Sequence, residues 1–225
     1  MDQCVEEKLM SEIIKLTSED FAAQVSLAAK AIRDGYVIVV PLENSYVYLC
    51  DAFSHDAVRT MHVMRGDALG IAAQVLISDA ARAVGIIRDS SEDLQKLTSA
   101  FWPGLLSVTA KPQLALNWDL GDDRNLDRIN IRVPAAEFAR AVTAEVGPLA
   151  TASATLAGQP AINSIDDISI DGTHLALIFD GGVLAKGQPT TIVETTETGL
   201  KVGRIGAISQ AQLAEVTPNI ALIGN

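Results

Sequence analysis

Two stretches of small, hydroxyl- and glycine-bearing residues are where this chain has the means to hold a ligand. The first is Leu149-Ala150-Thr151-Ala152-Ser153-Ala154-Thr155-Leu156-Ala157-Gly158-Gln159-Pro160. Small side chains let backbone amides and hydroxyls come close to a bound polar group, although a plain small-residue loop has the same composition. The second runs from Asp180-Gly181-Gly182 through Lys186-Gly187-Gln188-Pro189 to Thr190-Thr191-Ile192-Val193. From Gly182 its glycines begin like a phosphate-cradling P-loop, but Gln188 and Pro189 stand where that motif needs Lys and Ser/Thr, which excludes the motif. A third stretch, Phe101-Trp102-Pro103-Gly104-Leu105-Leu106-Ser107-Val108, joins a Pro-Gly turn to an aromatic pair at the mouth of an apolar strand. None of those four leading residue types performs catalysis, so by itself it reads as a structural corner.

Other chemistries are poorly represented. Cys4 and Cys50 lie far apart with no Cys-x-x-Cys, so both read as plain thiols. His55 and His62 can share a helix face but have no evident third metal ligand. The net charge of −11 argues against a broad basic nucleic-acid face. Residues 59–140 nevertheless balance 10 acids with 10 bases, and an anionic ligand is expected to meet this arginine-bearing middle. No apolar run approaches the roughly 20 residues of a membrane span, and Met1 to Glu12 is acidic, unlike a signal peptide. A cytoplasmic protein without a membrane partner is expected.

The elements that must position these stretches alternate between helix and strand. Ser18 is expected to cap a helix through Arg33, followed by an apolar strand Tyr36 to Val40. His55 to Met64 reads as a helix from Val58, Met61 and Met64, and Ile71 to Ile77 as a strand. A short helical stretch at Ala80 to Val84 and a helix capped by Ser90 or Ser91 lead to Phe101-Trp102. After a strand Leu105 to Ala110, residues Pro112 to Asp127 read as a long loop. A strand at Ile129 to Val133, a helix Ala135 to Glu145, a strand Leu175 to Phe179, a Ser209-capped helix through Glu215 and a short strand at Ile220 to Ile223 complete the pattern. The length and 48% hydrophobic content suit one α/β domain over 18–215, with a lead of 1–17 and a tail of 216–225.

Five segments, in order, resemble the YrdC-like threonylcarbamoyl-AMP synthase family of the YrdC/YciO superfamily. They are Pro41-Leu42-Glu43-Asn44-Ser45-Tyr46 with Asp51-Ala52, the Phe101-Trp102-Pro103-Gly104 corner, Ile129-Asn130-Ile131-Arg132-Val133-Pro134, the Leu149 to Pro160 run, and Gly182 to Val193 with Arg204-Ile205-Gly206-Ala207-Ile208. The resemblance implies a twisted mixed parallel/antiparallel sheet flanked by helices around a concave central pocket. It implies that Arg132, Thr151 and Thr190 orient threonine, and that Arg65, Ser153, Thr155 and Arg204 position ATP, with Mg²⁺. No side chain need act as a catalytic nucleophile.

The implied reaction joins ATP, threonine and bicarbonate into threonylcarbamoyl-AMP and pyrophosphate, for threonylcarbamoyladenosine in tRNA. Four ligand-motif positions depart from the family pattern: Leu42 replaces a threonine, Thr155 an asparagine, and Arg65 and Asp67 the Lys and Arg of Lys-x-Arg. On that alignment Asp67 faces a phosphate, and Asp67→Arg is expected to tighten ATP binding. The sister YciO-like branch shares such departures. The alternative is therefore a nucleotide-binding protein, or one binding tRNA or double-stranded RNA, without synthase activity; an assembly role is a third reading.

Overall fold

Strand β2 (Val37–Pro41) is buried along its whole length, so it must lie inside a sheet covered on both faces. Val37 and Val39 join one apolar cluster and Ile38 and Val40 the other, the alternation that a period of two demands. Strand β3 (Tyr46–Asp51) does the same, sending Tyr46, Tyr48 and Cys50 one way and Val47 and Leu49 the other.

The computed structural model describes residues 11–89, 91–168 and 175–221. Around β2 and β3 they form β1 (Glu12–Lys15), α1 (Phe21–Arg33), α2 (His55–Arg65), β4 (Gln74–Leu76), α3 (Glu92–Phe101), β5 (Leu106–Ala110) and β6 (Ile129–Arg132). Then follow α4 (Glu137–Val146), β7 (Leu149–Ser153), β8 (Leu175–Asp180), β9 (Thr191–Thr196), β10 (Gly199–Arg204) and α5 (Gln210–Val216). The strands make one mixed sheet in the order β1-β8-β2-β3-β7-β4-β6-β5-β9-β10. Pairs β1·β8, β8·β2, β4·β6 and β5·β9 are parallel; the other five are antiparallel.

Helices α1 and α4 cover one face through Val25, Ile32, Phe138 and Val142. Helices α2, α3 and α5 cover the other through Val58, Met61, Leu97 and Leu213. Ser54 caps α2 by accepting from the Ala57 amide, and Gly66 ends it in the left-handed region at φ 64°. Ser209 and Gln212 form a reciprocal capping box at α5.

The structure differs from the sequence reading at several elements. Asp20, not Ser18, is the N-cap of α1, because Thr17 and Asp20 bond each other and the chain turns there. The strand expected over Ile71 to Ile77 contracts to Gln74–Leu76. Strand β1 lies within the segment read as a lead and extends the sheet by pairing with β8. At the far end Ala221 bridges to Lys201; the remainder of the strand expected there lies outside the described residues. The first half of the small-residue run is strand β7, paired with β3 and β4. Ser91 is the cap of α3, and its alternative Ser90 also lies outside the described residues.

The two buried tyrosines of β3 differ in one respect. The Tyr46 hydroxyl donates to the Gly182 carbonyl at 2.6 Å and accepts from the Gly181 amide at 3.0 Å, tying the turn after β8 to β3. The Tyr48 hydroxyl is buried with no partner among the described residues, and burial pushes its pKa up to about 12. Tyr46→Phe should therefore cost about 1–3 kcal/mol in urea unfolding, whereas Tyr48→Phe should be neutral or stabilising, since it removes a desolvated group that bonds nothing.

A candidate anion-binding hollow

At the middle of the sheet lies a hollow of about 760 Å³. Three cations line it, Arg132, Lys186 and Arg204, together with hydroxyls of Ser45, Thr151, Ser153 and Thr190 and amides of Asn44, Gln74, Asn130 and Asn163. Among the described residues no Asp or Glu lines it, in a protein that carries 28 acids against 17 bases. A wall of that composition favours negative charge.

Arg132 is the most constrained of these cations. It ends β6, its side chain is 5% exposed, and its Nη2 donates to the Glu43 carboxylate. Nε donates to the Gly104 carbonyl at 2.8 Å, while Glu43 also accepts the Ala135 amide at 2.6 Å. The Phe101-Trp102-Pro103-Gly104 corner exists to put that carbonyl there. Trp102 is buried with its indole N–H donating to Leu106, the Trp102-Pro103 peptide is cis, and the Gly104 amide donates to Val133. A Cβ at Gly104 would stand 2.6 Å from the Phe101 carbonyl oxygen, so the corner needs glycine. Among the described residues Nη1 of Arg132 has no partner, and it is open to a carboxylate or another anion.

On the opposite wall, Nε and Nη2 of Arg204 donate to the Thr190 carbonyl at 3.1 and 2.9 Å, and Nη2 to its hydroxyl at 2.8 Å. Thr191, buried beside it, donates to Ile208 and accepts from the Gly206 and Ile208 amides. Those bonds press the 189–191 segment onto 206–208 so tightly that a Cβ at Gly206 would sit 2.1 Å from the Pro189 oxygen. Thr151 lines the hollow but donates its hydroxyl to the Tyr48 carbonyl at 2.9 Å, which leaves its lone pairs to a ligand. Leu42 contributes an apolar wall.

Of the seven residues read from the sequence, Arg132, Thr151, Ser153, Thr190 and Arg204 share this hollow, and Arg65 and Thr155 are not among its lining residues. Arg65 sits behind it. Its Nη1 donates to the carbonyls of Ser153 and Thr155, and its Nε to Asp67 at 2.9 Å. Asp67 is 6% exposed and also bonds His62 Nδ1 at 2.8 Å, while His62 Nε2 meets the Leu120 carbonyl at 2.8 Å. Burial pushes the Asp67 carboxyl up, but bonds from Arg65 and His62 outweigh it and hold the group below the ordinary carboxylate value of 3.8. The expectation that Asp67 confronts a phosphate is thus corrected. Its charge is paired with Arg65 and its carboxylate bonded to His62 inside the protein, and Asp67→Arg would set two guanidiniums side by side rather than improve a ligand site.

Two features escaped the sequence reading. Lys186 stands in a segment whose P-loop pattern fails at Gln188 and Pro189, and Gln74 and Asn130, hydrogen-bonded to each other, carry no motif that marks them apart from other strand residues. Arg128, four residues before Arg132, donates to the Thr109 and Thr195 carbonyls at 2.9 and 2.8 Å. It lines a separate hollow with Arg88 and Lys111. Among the described residues no cluster of His, Cys, Asp and Glu is suited to hold a metal ion. Cys50 is buried and its thiol is pushed up by burial; Cys4 lies outside the described residues. No described helix is long and apolar enough to cross a membrane.

Residues 30–206 match the family Sua5_yciO_yrdC, described as Telomere recombination. A Mycobacterium leprae protein provisionally named threonylcarbamoyl-AMP synthase is 31% identical over 92% of this chain and 94% of its own length. The Bacillus subtilis threonylcarbamoyl-AMP synthase is 28% identical over 86% of this chain and 56% of its own. Among solved structures, Pyrococcus abyssi Sua5 complexed with L-threonine superposes with a TM-score of 0.83 at 22% identity, covering 95% of this chain. This chain spans 62% of the length of that one. Escherichia coli YciO superposes with a TM-score of 0.74 at 21% identity over 88% of this chain and 96% of its own. These structural matches carry the mixed sheet and its flanking helices.

The Arg65–Asp67–His62 cluster has a measurable signature. Asp67→Ala leaves the nearly buried Arg65 guanidinium without its carboxylate and should cost about 3 kcal/mol near neutral pH. Because the folded carboxyl titrates lower than the unfolded one, this contribution is complete above the unfolded value of 3.8. It fades as pH falls through the folded value. Urea midpoints of wild type and Asp67→Ala should therefore lie far apart at pH 7 and converge below pH 3.8.

Proposed function

The chain belongs to the Sua5/YciO/YrdC family, and on that premise we propose that it is a threonylcarbamoyl-AMP synthase. It condenses ATP, L-threonine and bicarbonate into threonylcarbamoyl-AMP and pyrophosphate, the activated group destined for tRNA. The observation that carries this reading is the hollow itself: three cations, no carboxylate and a ring of neutral hydrogen-bonding groups in an acidic protein.

The chemistry suits such a site. Threonine's amine condenses with bicarbonate, with loss of water, to give a carbamate, whose oxygen displaces pyrophosphate from the α-phosphorus of ATP. Reactants and products are anionic, so the protein's task is to bring like charges together and neutralise them. Arg132 is preset for the threonine carboxylate, because Glu43 and Gly104 hold two edges of its guanidinium and leave Nη1 open. Thr151 and Thr190 complete the threonine end, and Ser153 and Arg204 the nucleotide end. Arg65 serves the nucleotide indirectly, by holding the carbonyls of Ser153 and Thr155. With no carboxylate in its lining, the hollow does not fit a protein-held Mg²⁺, and no step is assigned to the ion.

A nucleotide-binding protein without turnover is the second reading. It is favoured by the internal Arg65–Asp67 pair at a position where the family's synthases use free cations. Pyrophosphate release that requires both threonine and bicarbonate supports the synthase; thermal stabilisation by ATP without release supports the second reading. For the synthase, Arg132→Ala should lower threonine-dependent kcat/KM by about 10²-fold or more, the equivalent of about 3 kcal/mol for a lost charged hydrogen bond. The urea midpoint serves as control, since Glu43 loses its partner in the same variant.

A further inference from the structure

We propose that Lys186 is the cation that meets the polyphosphate of the nucleotide in this hollow, taking over from the helix-end cations; the nucleotide's identity rests on the function proposed above.

Arg132 is ion-paired with Glu43, and Arg65 is ion-paired with Asp67 and turned to the Ser153 and Thr155 carbonyls. Arg204 faces only Thr190, a neutral residue. Lys186 lines the hollow, is exposed, and has no hydrogen bond or ion pair among the described residues. The positive charge of the hollow that no carboxylate matches therefore rests on Lys186 and Arg204.

Its segment is also held in place. Two residues before it, Leu184 exchanges two bonds with Asn163, its amide to the Asn163 carbonyl at 2.8 Å and its carbonyl from the Asn163 side chain at 2.9 Å. Two residues after it, the Gln188 carbonyl accepts from the Asn44 side chain at 2.8 Å. Between them Gly187 lies so close to Asn44 that a Cβ would stand 2.5 Å from its Nδ2. The backbone around Lys186 is thus pinned on both sides to residues that line the hollow, while its side chain has no partner among the described residues. A compact ammonium on a flexible stem in that position suits a polyphosphate, whose oxygens present no single planar fork for a guanidinium to match.

The test is calorimetric titration of the full chain with ATP and, separately, with inorganic tripolyphosphate, for wild type, Lys186→Gln, Lys186→Arg and Arg59→Gln. Arg59 is exposed on α2 and lines a different hollow, so its variant makes the same change in net charge away from this one. Lys186→Gln should weaken both ligands at least tenfold, Lys186→Arg should recover most of that, and Arg59→Gln should stay within twofold of wild type. Threonine affinity should not change in Lys186→Gln. Equal affinity of wild type and Lys186→Gln for ATP overturns the assignment of Lys186 and leaves the synthase reading standing. Lys186-dependent binding of tripolyphosphate, with neither ATP binding nor pyrophosphate release, supports Lys186 as a polyanion contact and removes the synthase reading. Failure of wild type to bind either ligand overturns both.

Discussion

Much of this molecule's functional geometry depends on one buried charged joint, the guanidinium of Arg132 held between the Glu43 carboxylate and the Gly104 carbonyl. Each partner comes from a different part of the chain: the turn between β2 and β3, the corner that precedes β5, and the end of β6. A charged group this well buried is tolerated only when paired and hydrogen-bonded. The three segments are therefore fixed relative to one another, and the fixed point lies at the wall of the hollow. Glu43 extends the joint to the start of α4 through the Ala135 amide.

The same economy governs the rest of the charge. In a chain so rich in acids, two of the carboxylates nearest the site are consumed by neighbours, Glu43 by Arg132 and Asp67 by Arg65 and His62. Neither stands among the lining residues. What remains is an apolar and amide-rich wall with positive charge facing in, a local inversion of the protein's overall sign. The Asp67 cluster adds a second layer. It links Leu120, in the long loop, to the backbone of Ser153 and Thr155 through His62, Asp67 and Arg65.

The sequence was most readable where burial imposes a period. Strands β2, β6 and β8 and helix α2 follow from apolar spacing, and the turn and cap residues Gly66 and Ser209 do what those residue types do elsewhere. It was least readable where a short or exposed element takes its structure from a distant partner. Strand β1 has four residues, none fully buried, and is a strand because β8 supplies a parallel edge. Residues Leu149 to Ser153 have no β-branched run and pair because β3 and β4 flank them. At the site, motif order found five residues of the hollow. Motif order cannot say which way a side chain turns. Arg65 therefore went to a ligand when it belongs to the protein backbone, and Lys186, alone among glycines and a proline, gave no signal.

The hollow draws on residues from Leu42 to Arg204, and its walls meet only through a sheet in which β8 sits beside β2 and β9 beside β5. Pairings between strands so distant in sequence cannot form until both have been synthesised. An emerging polypeptide would thus present β2 and β3 on the ribosome long before β8 arrives to pair with the free edge of β2. That edge must stay unpaired until residues 175–180 have emerged.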